Sequence, residues 1–318
     1  MHAAAMNLRG GVSPRNTRLR GQSIIEYVLI IAIIGLVIVF AGPGVAGAIR
    51  NQFNLVGNTL NSGTNGGTEG GGASGDGSTG ADSATVQAAI AKDAKDWTLD
   101  EQKAVAEDIA AKGEASPAYA KAKAAMDVGT KFSVKLTNGK TLEYRIVGIS
   151  HDNLADGSGK AGLTFEATNT VLGAQRMNAT NTNVGGWEKS ELRGRLNSGD
   201  LWALLPAEIQ FKVKSVKKIT DNQGGGTAGT PSVTTDKVFL LSSTEVWGDM
   251  QSDGIQYECY KSKGVTRMDF SGASLGNSRW TRSVSPRYST SFCYGFYSGY
   301  FGSNDATNTY YVFPAFSF

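Results

Sequence analysis

The 318-residue chain carries 31 Lys and Arg against 28 Asp and Glu, and 40% of it is hydrophobic; that length accommodates one or two folded domains. Arg9, Arg15, Arg18 and Arg20 lie within residues 1–21, which hold no acid, so residues 22–318 set 27 bases against 28 acids. A near-neutral remainder of this kind argues against a nucleic-acid-binding protein.

Behind the basic leader, no charge appears between Glu26 and Arg50, and the run VLIIAIIGLVIVFAGPGVAGAI begins at Val28. About 20 apolar residues suffice to cross a ~30 Å hydrocarbon core as a helix. The arginines predict a cytoplasmic leader and an exported C-terminal side. Gly42-Pro43-Gly44 predicts a kink or a helix end, because proline removes a donor and clashes with the preceding turn. Two processing schemes fit. A secretory signal peptide would be cut after the apolar run, near Ala46-Gly47-Ala48. Alternatively the cut precedes the run, at Gly21.

The stretch GQSIIEYVLIIAIIG resembles the N-terminus of type IVb prepilins of the Flp/Tad kind. The resemblance covers about a tenth of the chain. It implies cleavage between Gly21 and Gln22 by a prepilin peptidase, with Glu26 and Tyr27 as the family's Glu-Tyr pair. It further implies a pilin helix over residues 22–56, held in the cytoplasmic membrane before assembly and packed against other pilin subunits in an extracellular filament afterwards. A carboxylate near lipid is costly unless paired. Glu26 would then pair with the new amino group of a neighbouring subunit, or it marks the membrane interface.

Residues 57–81 predict a flexible linker: ten of the twenty-four residues from Gly57 to Gly80 are glycine. No Lys-Ser or Lys-Thr follows those glycines, so they are not a phosphate loop. Residues 82–128 predict helices forming a stalk or a cover, with a capping box at Thr98-Leu99-Asp100-Glu101 and a stop at Gly113. From Lys131 the period changes to two. FSVKL and TLEYRIVGI flank Asn138-Gly139 as a hairpin, LTFEAT is another strand, and FKVKSVKKI, DKVFLLS and YYVFPAFSF follow, with short helices over WEKSELRGRLNSG and DLWALLPAEI. The expected fold class is α+β: a long N-terminal transmembrane helix, a linker, a helical segment, and a mixed domain over residues 130–318.

The series GGWEKSELRGRLN, LLPAEI, TDKVFLLSSTEVWG, RWTRS and YVFPAFSF resembles a family of bacterial surface domains. That resemblance implies a C-type-lectin-like fold, in the version shared with formylglycine-generating enzymes. Phe313 stands where the family carries a basic residue before Pro-Ala-Phe. Cys259 and Cys293 do not match the paired cysteines of those enzymes, so the activity is not carried over. The two cysteines form a disulfide, which an exported domain permits, or remain buried thiols.

Catalytic signals are poor, and no enzyme activity, metal or cofactor is expected. His151 beside Asp152 reads as a solvated loop histidine. In DNLADGSGKAGL, Leu154 and Leu163 occupy positions where a calcium loop needs oxygen ligands. From Tyr288 to the C-terminus, twelve of thirty-one residues are Tyr or Phe, and Asp305 is the sole charge. Tyrosines interleaved with Ser, Asn and Gly make an adaptable recognition surface. Tyr310, Val312, Phe313, Phe316 and Phe318 are assigned to the core. Tyr294, Tyr297, Tyr300, Phe301, Asn304, Asp305 and Asn308 form the candidate ligand-binding set, against the alternative that they too fill a sheet core. The segment resembles the hypervariable C-terminal loop of lectin-fold proteins diversified by retroelements. The function expected is a minor or tip pilin-like subunit that holds a host-cell, glycan or protein ligand. The competing expectation is a pseudopilin used in pilus assembly or anchoring, with no external ligand.

Overall fold

Residues 83–318 are described by the computed structural model. Helix comes first: α1 (Ser83–Ile90), α2 (Leu99–Lys112) and α3 (Tyr119–Val128). The N–H of Glu101 donates to Thr98 Oγ1 at 3.2 Å, and the N–H of Thr98 donates to Glu101 Oε2 at 2.7 Å. This reciprocal pair satisfies two donors that the first turn of α2 leaves open. Gly113 (φ 58°) and Gly129 (φ 70°) close α2 and α3 at positive φ, Gly129 in the left-handed helical conformation. Val105, Ile109, Ala122 and Met126 on these helices are buried in the same core as the strand residues. The helices therefore cover the first sheet rather than extend as a stalk. The approach is tight at Gly162, where an added Cβ would stand 1.8 Å from the Ala106 carbonyl oxygen.

Two five-stranded sheets follow. The first is antiparallel throughout, in the order β1 (Lys131–Lys135), β2 (Thr141–Ile149), β3 (Leu163–Ala167), β12 (Ala315–Ser317), β7 (Val238–Phe239). The predicted Asn138-Gly139 turn joins β1 to β2, with Gly139 at φ 80°. Phe132, Tyr144, Phe165 and Phe316 pack edge-on, tilted or, for Phe165 on Phe316, stacked across this sheet at centroid distances of 5.3–5.9 Å. Such pairs contribute about 0.5–1.5 kcal/mol each beyond the area they bury.

The second sheet runs β10 (Phe301–Asp305), β9 (Ser291–Gly295), β8 (Arg279–Val284), β11 (Tyr310–Tyr311), β4 (Ala174–Gln175). Its β11–β8 pair is parallel and the rest are antiparallel. The stretch YYVFPAFSF divides between the two sheets: β11 ends before Pro314, which has no N–H to give a ladder, and β12 starts after it. A separate hairpin, β5 (Val216–Asp221) with β6 (Pro231–Asp236), carries Lys218 inward.

The expected helices from Trp187 to Ile209 break into four short pieces: α4 (Gly186–Lys189), α5 (Glu191–Asn197), α6 (Asp200–Ala203) and α7 (Ala207–Gln210). Ser190 accepts the N–H of Arg193 at 3.3 Å and so starts α5 as a new helix. Helices α8 (Ser243–Trp247) and α9 (Glu258–Lys261) complete the fold.

A chain of buried charges ties the hairpin to both sheets. Lys218 Nζ lies 2.6 Å from Asp152 Oδ1 and 2.6 Å from Glu245 Oε1. Arg282 holds Glu245 through two nitrogens and donates to Thr220 Oγ1 at 2.7 Å. Tyr257 OH and Thr164 Oγ1 both donate to Asp152 Oδ2, at 2.7 and 2.6 Å. Burial disfavours the ionised Asp152 carboxyl, but Lys218 and His151 outweigh it and hold the group near a pKa of about 2.

The expected architecture needs one correction of class. Among the described residues no helix is long and apolar enough to cross a membrane, and what the structure describes is a mixed α/β domain. The predicted pilin helix at 22–56, the Gly21-Gln22 cleavage point, Glu26, Tyr27 and the linker to residue 81 lie outside the described residues.

Candidate functional site

The site grows from the second sheet. Strands β9 and β10 are joined by a tight tip over residues 296–300. There Phe296 N–H donates to Tyr300 O at 2.6 Å and Gly299 N–H donates to Phe296 O at 2.9 Å. Gly299 sits at φ 94°, and a Cβ there would meet the Phe270 carbonyl oxygen at 2.2 Å. Trp247 Nε1 donates to Gly299 O at 2.8 Å, and Ser274 Oγ donates to Tyr297 O at 2.5 Å. The tip is thereby fastened on both sides while the Tyr297 side chain stays 67% exposed.

Beside Tyr297 lies a groove of about 550 Å³. Its walls are Asn277 and Ser278 from the loop entering β8, Thr309, Tyr310 and Tyr311 from β11 and the turn before it, and Tyr297. No charged side chain lines it. Tyr310 is half-buried and held rigidly: its ring meets Trp280 edge-on at 4.7 Å and stacks on Tyr294 at 4.3 Å, and its hydroxyl accepts from Asn304 Nδ2 at 2.7 Å. Trp280 Nε1 in turn donates to Gln175 O at 2.7 Å. Burial, and then the bond to Tyr310, hold the Tyr294 phenol protonated well above its ordinary value.

The predicted set therefore splits. Tyr297 lines the groove. Tyr294 and Asn304 support its Tyr310 wall from below, and Asn308 donates to Asn304 Oδ1 at 2.7 Å. Asp305 accepts from Thr290 Oγ1 at 2.6 Å, which lowers its pKa and uses the carboxylate to fasten the end of β10. Tyr300 and Phe301 turn to another side. Tyr300 packs edge-on to Phe270 at 5.1 Å, and Phe301 lies under the Arg267 guanidinium at 5.8 Å. Tyr310, assigned to the core from sequence, is a groove wall, whereas Val312, Phe313, Phe316 and Phe318 are buried as expected. Asn277, Ser278, Thr309 and Tyr311 carried no signal in the sequence. They are ordinary loop and strand residues until β8 and β11 pair.

Two other readings change. His151 is not solvated: its side chain is 8% exposed, its ring stacks on Tyr257 at 3.9 Å, and Nδ1 lies 3.1 Å from Glu258 Oε1. Cys259 and Cys293 are both free, which corrects the disulfide option. Cys259 is on α9 against β2, while Cys293 is in β9 of the other sheet, with Val284 O 3.6 Å from its sulfur. Burial pushes the Cys293 thiol up to about 12, so the thiolate that alkylates is scarce at pH 8. A thiol-reactive dye at pH 8 is expected to label neither cysteine of the native chain within minutes and both in guanidinium. Rapid native labelling would contradict this placement.

Among the described residues no group of three or more His, Cys, Asp and Glu is placed to hold a metal ion. Residues 161–318 match the family model of DUF6273, a domain of unknown function. No curated protein and no solved structure matches the chain. No pilin or lectin-like family is among the matches.

Proposed function

We propose that this chain is a cell-surface binding subunit whose second sheet holds a glycan in the groove between Tyr297 and Tyr310. One observation carries the reading: the groove combines three tyrosines with neutral Asn, Ser and Thr groups and no charged side chain. Tyrosine offers a flat apolar face with a polar edge. A sugar ring has one face of C–H groups to lay on such a ring and a rim of hydroxyls for amides and hydroxyls to bond. Size separates small ligands from proteins. About 550 Å³ falls within the ~300–1,000 Å³ of small-ligand sites, whereas a protein partner needs a broad face of about 800 Å² on each side.

Display at the surface rests on the resemblance of the stretch GQSIIEYVLIIAIIG, residues 21–35, to type IVb prepilins. In this reading the chain is a minor or tip pilin-like subunit, processed at Gly21-Gln22, with the groove exposed for adhesion.

The test is a printed glycan panel probed with the full chain. Neutral oligosaccharides are expected to bind, and Tyr297→Ala to weaken them about tenfold, the ~1.4 kcal/mol of one lost stacking face. Because Tyr297 is largely exposed, the melting temperature should barely move. A chain that binds no glycan, or a Tyr297→Ala variant with undiminished affinity, would sink the proposal and leave pilus assembly as the stronger role.

A further inference from the structure

The glycan groove does not end at Thr309. A second groove of about 430 Å³ continues from it, sharing Ala174 and Thr309, and is lined further by Gln175, Arg176, Glu191 and Arg195. The pairing of β11 with β4 makes this continuity: Tyr310 lies opposite Gln175 and Tyr311 opposite Ala174, so Arg176 follows directly where the aromatic wall stops.

The two arginines in the extension differ in state. Arg195 is already paired. Its Nε and Nη2 donate to the two oxygens of Asp200 at 2.9 and 2.8 Å, and its Nη1 donates to Gln175 Oε1 at 2.8 Å. Arg176 is exposed, and among the described residues its side chain makes no hydrogen bond or ion pair. A guanidinium is a planar fork of donors matched to an anion with two or three oxygens. Glu191 lines the same extension, so a second anionic group there would meet repulsion.

We infer, on the basis of the glycan reading above, that the ligand is an acidic sugar: a neutral ring held against Tyr297 and Tyr310, with one anionic substituent, a carboxylate or a sulfate ester, held by Arg176. The neutral groove supplies stacking and hydroxyl recognition, and Arg176 supplies the selection for charge. The aromatic groove accepts neutral sugars; its continuation past Thr309 adds a contact that only acidic ones make.

The experiment measures binding of the full chain by calorimetry to four probes that carry at most one acid each: sialyllactose, its methyl ester, sulfated lactose and lactose. At least one acidic probe is expected to bind tenfold or more tightly than its neutral counterpart. That advantage should shrink between 0.05 and 0.5 M NaCl, since an exposed ion pair is screened by salt. Arg176→Gln should abolish the advantage and leave neutral-probe affinity intact, while Arg176→Lys keeps part of it. A carboxylate contact is told from a sulfate contact by which acidic probe gains. Equal affinity for acidic and neutral probes, an advantage that survives Arg176→Gln, or a chain that binds neutral panel glycans but neither acidic probe overturns the inference and leaves the neutral groove standing. A chain that binds no glycan, neutral or acidic, overturns both readings together.

Discussion

Replacing Lys218 with methionine is expected to cost about 3–5 kcal/mol of folding stability at pH 7, the range for removing one partner of a buried ion pair. The reason is the number of charges left behind. Lys218 is 2% exposed and stands between Asp152 and Glu245, 2.6 Å from each. Methionine fills similar volume and can lie on Phe239, over whose ring the ammonium sits at 4.3 Å, so packing is largely kept. Two buried carboxylates then face each other with Arg282 on one side alone.

The pH dependence carries the sign. Asp152 titrates at about 2 in the folded chain against an ordinary 3.8, and Glu245 is also lowered, burial opposing and Arg282 and Lys218 prevailing. Depressed carboxylates contribute stability that is fully present above their unfolded values and is lost as pH falls through the folded ones. The native chain should therefore lose stability from about pH 4 down towards pH 2, by roughly 2 kcal/mol from Asp152 alone. In Lys218→Met the carboxylates lose their cation and protonate more readily, so the deficit relative to the unaltered chain should narrow as pH falls. Urea melts at pH 7 and pH 3.5 check this; a deficit that is small at neutral pH, or that widens in acid, contradicts the clamp.

Gly162→Ala is expected to cost about 3 kcal/mol, the upper part of the range for overpacking, and to lower the melting temperature by about 6–12 °C for a domain of this size. Its Cβ would fall 1.8 Å from the Ala106 carbonyl oxygen and 2.9 Å from the Ala106 Cα. These are helix backbone atoms that no rotamer change can move. Either α2 lifts from the first sheet or Gly162 shifts at the entrance to β3, and both expose the core around Val105 and Ile109. Gly194→Ala is the control. Gly194 lies within α5 with nothing within 4 Å of the added carbon, so the better helix propensity of alanine should make that change neutral or stabilising by up to ~1 kcal/mol. Equal melting temperatures for the two variants would show that α2 does not rest on Gly162.

Local chemistry was legible in the sequence wherever neighbours along the chain decide the outcome. Thr98 and Glu101 are three residues apart, and a capping box needs nothing beyond that spacing. Asn138-Gly139 lies between two alternating runs and could adopt the left-handed turn without help from the rest of the molecule. The burial of Phe313, Phe316 and Phe318 followed from their apolar character.

What the tertiary structure decided are the pairings made across long separations. Lys218 meets Asp152 across 66 positions and Arg282 meets Glu245 across 37, and a single lysine or aspartate in a sequence carries no mark of its partner. The helices at 83–128 became a cover because Gly162 admits α2 to van der Waals contact, a property of three-dimensional approach that helical periodicity does not contain. The aromatic tail reads as one Tyr-rich block, yet Pro314 sends its end to the other sheet, and the 296–300 tip turns Tyr297 to one side and Tyr300 to another. Residue type established that this chain had rings to offer a ligand. Strand pairing established which rings share a groove, and that Thr309 and Ala174 join that groove to Arg176.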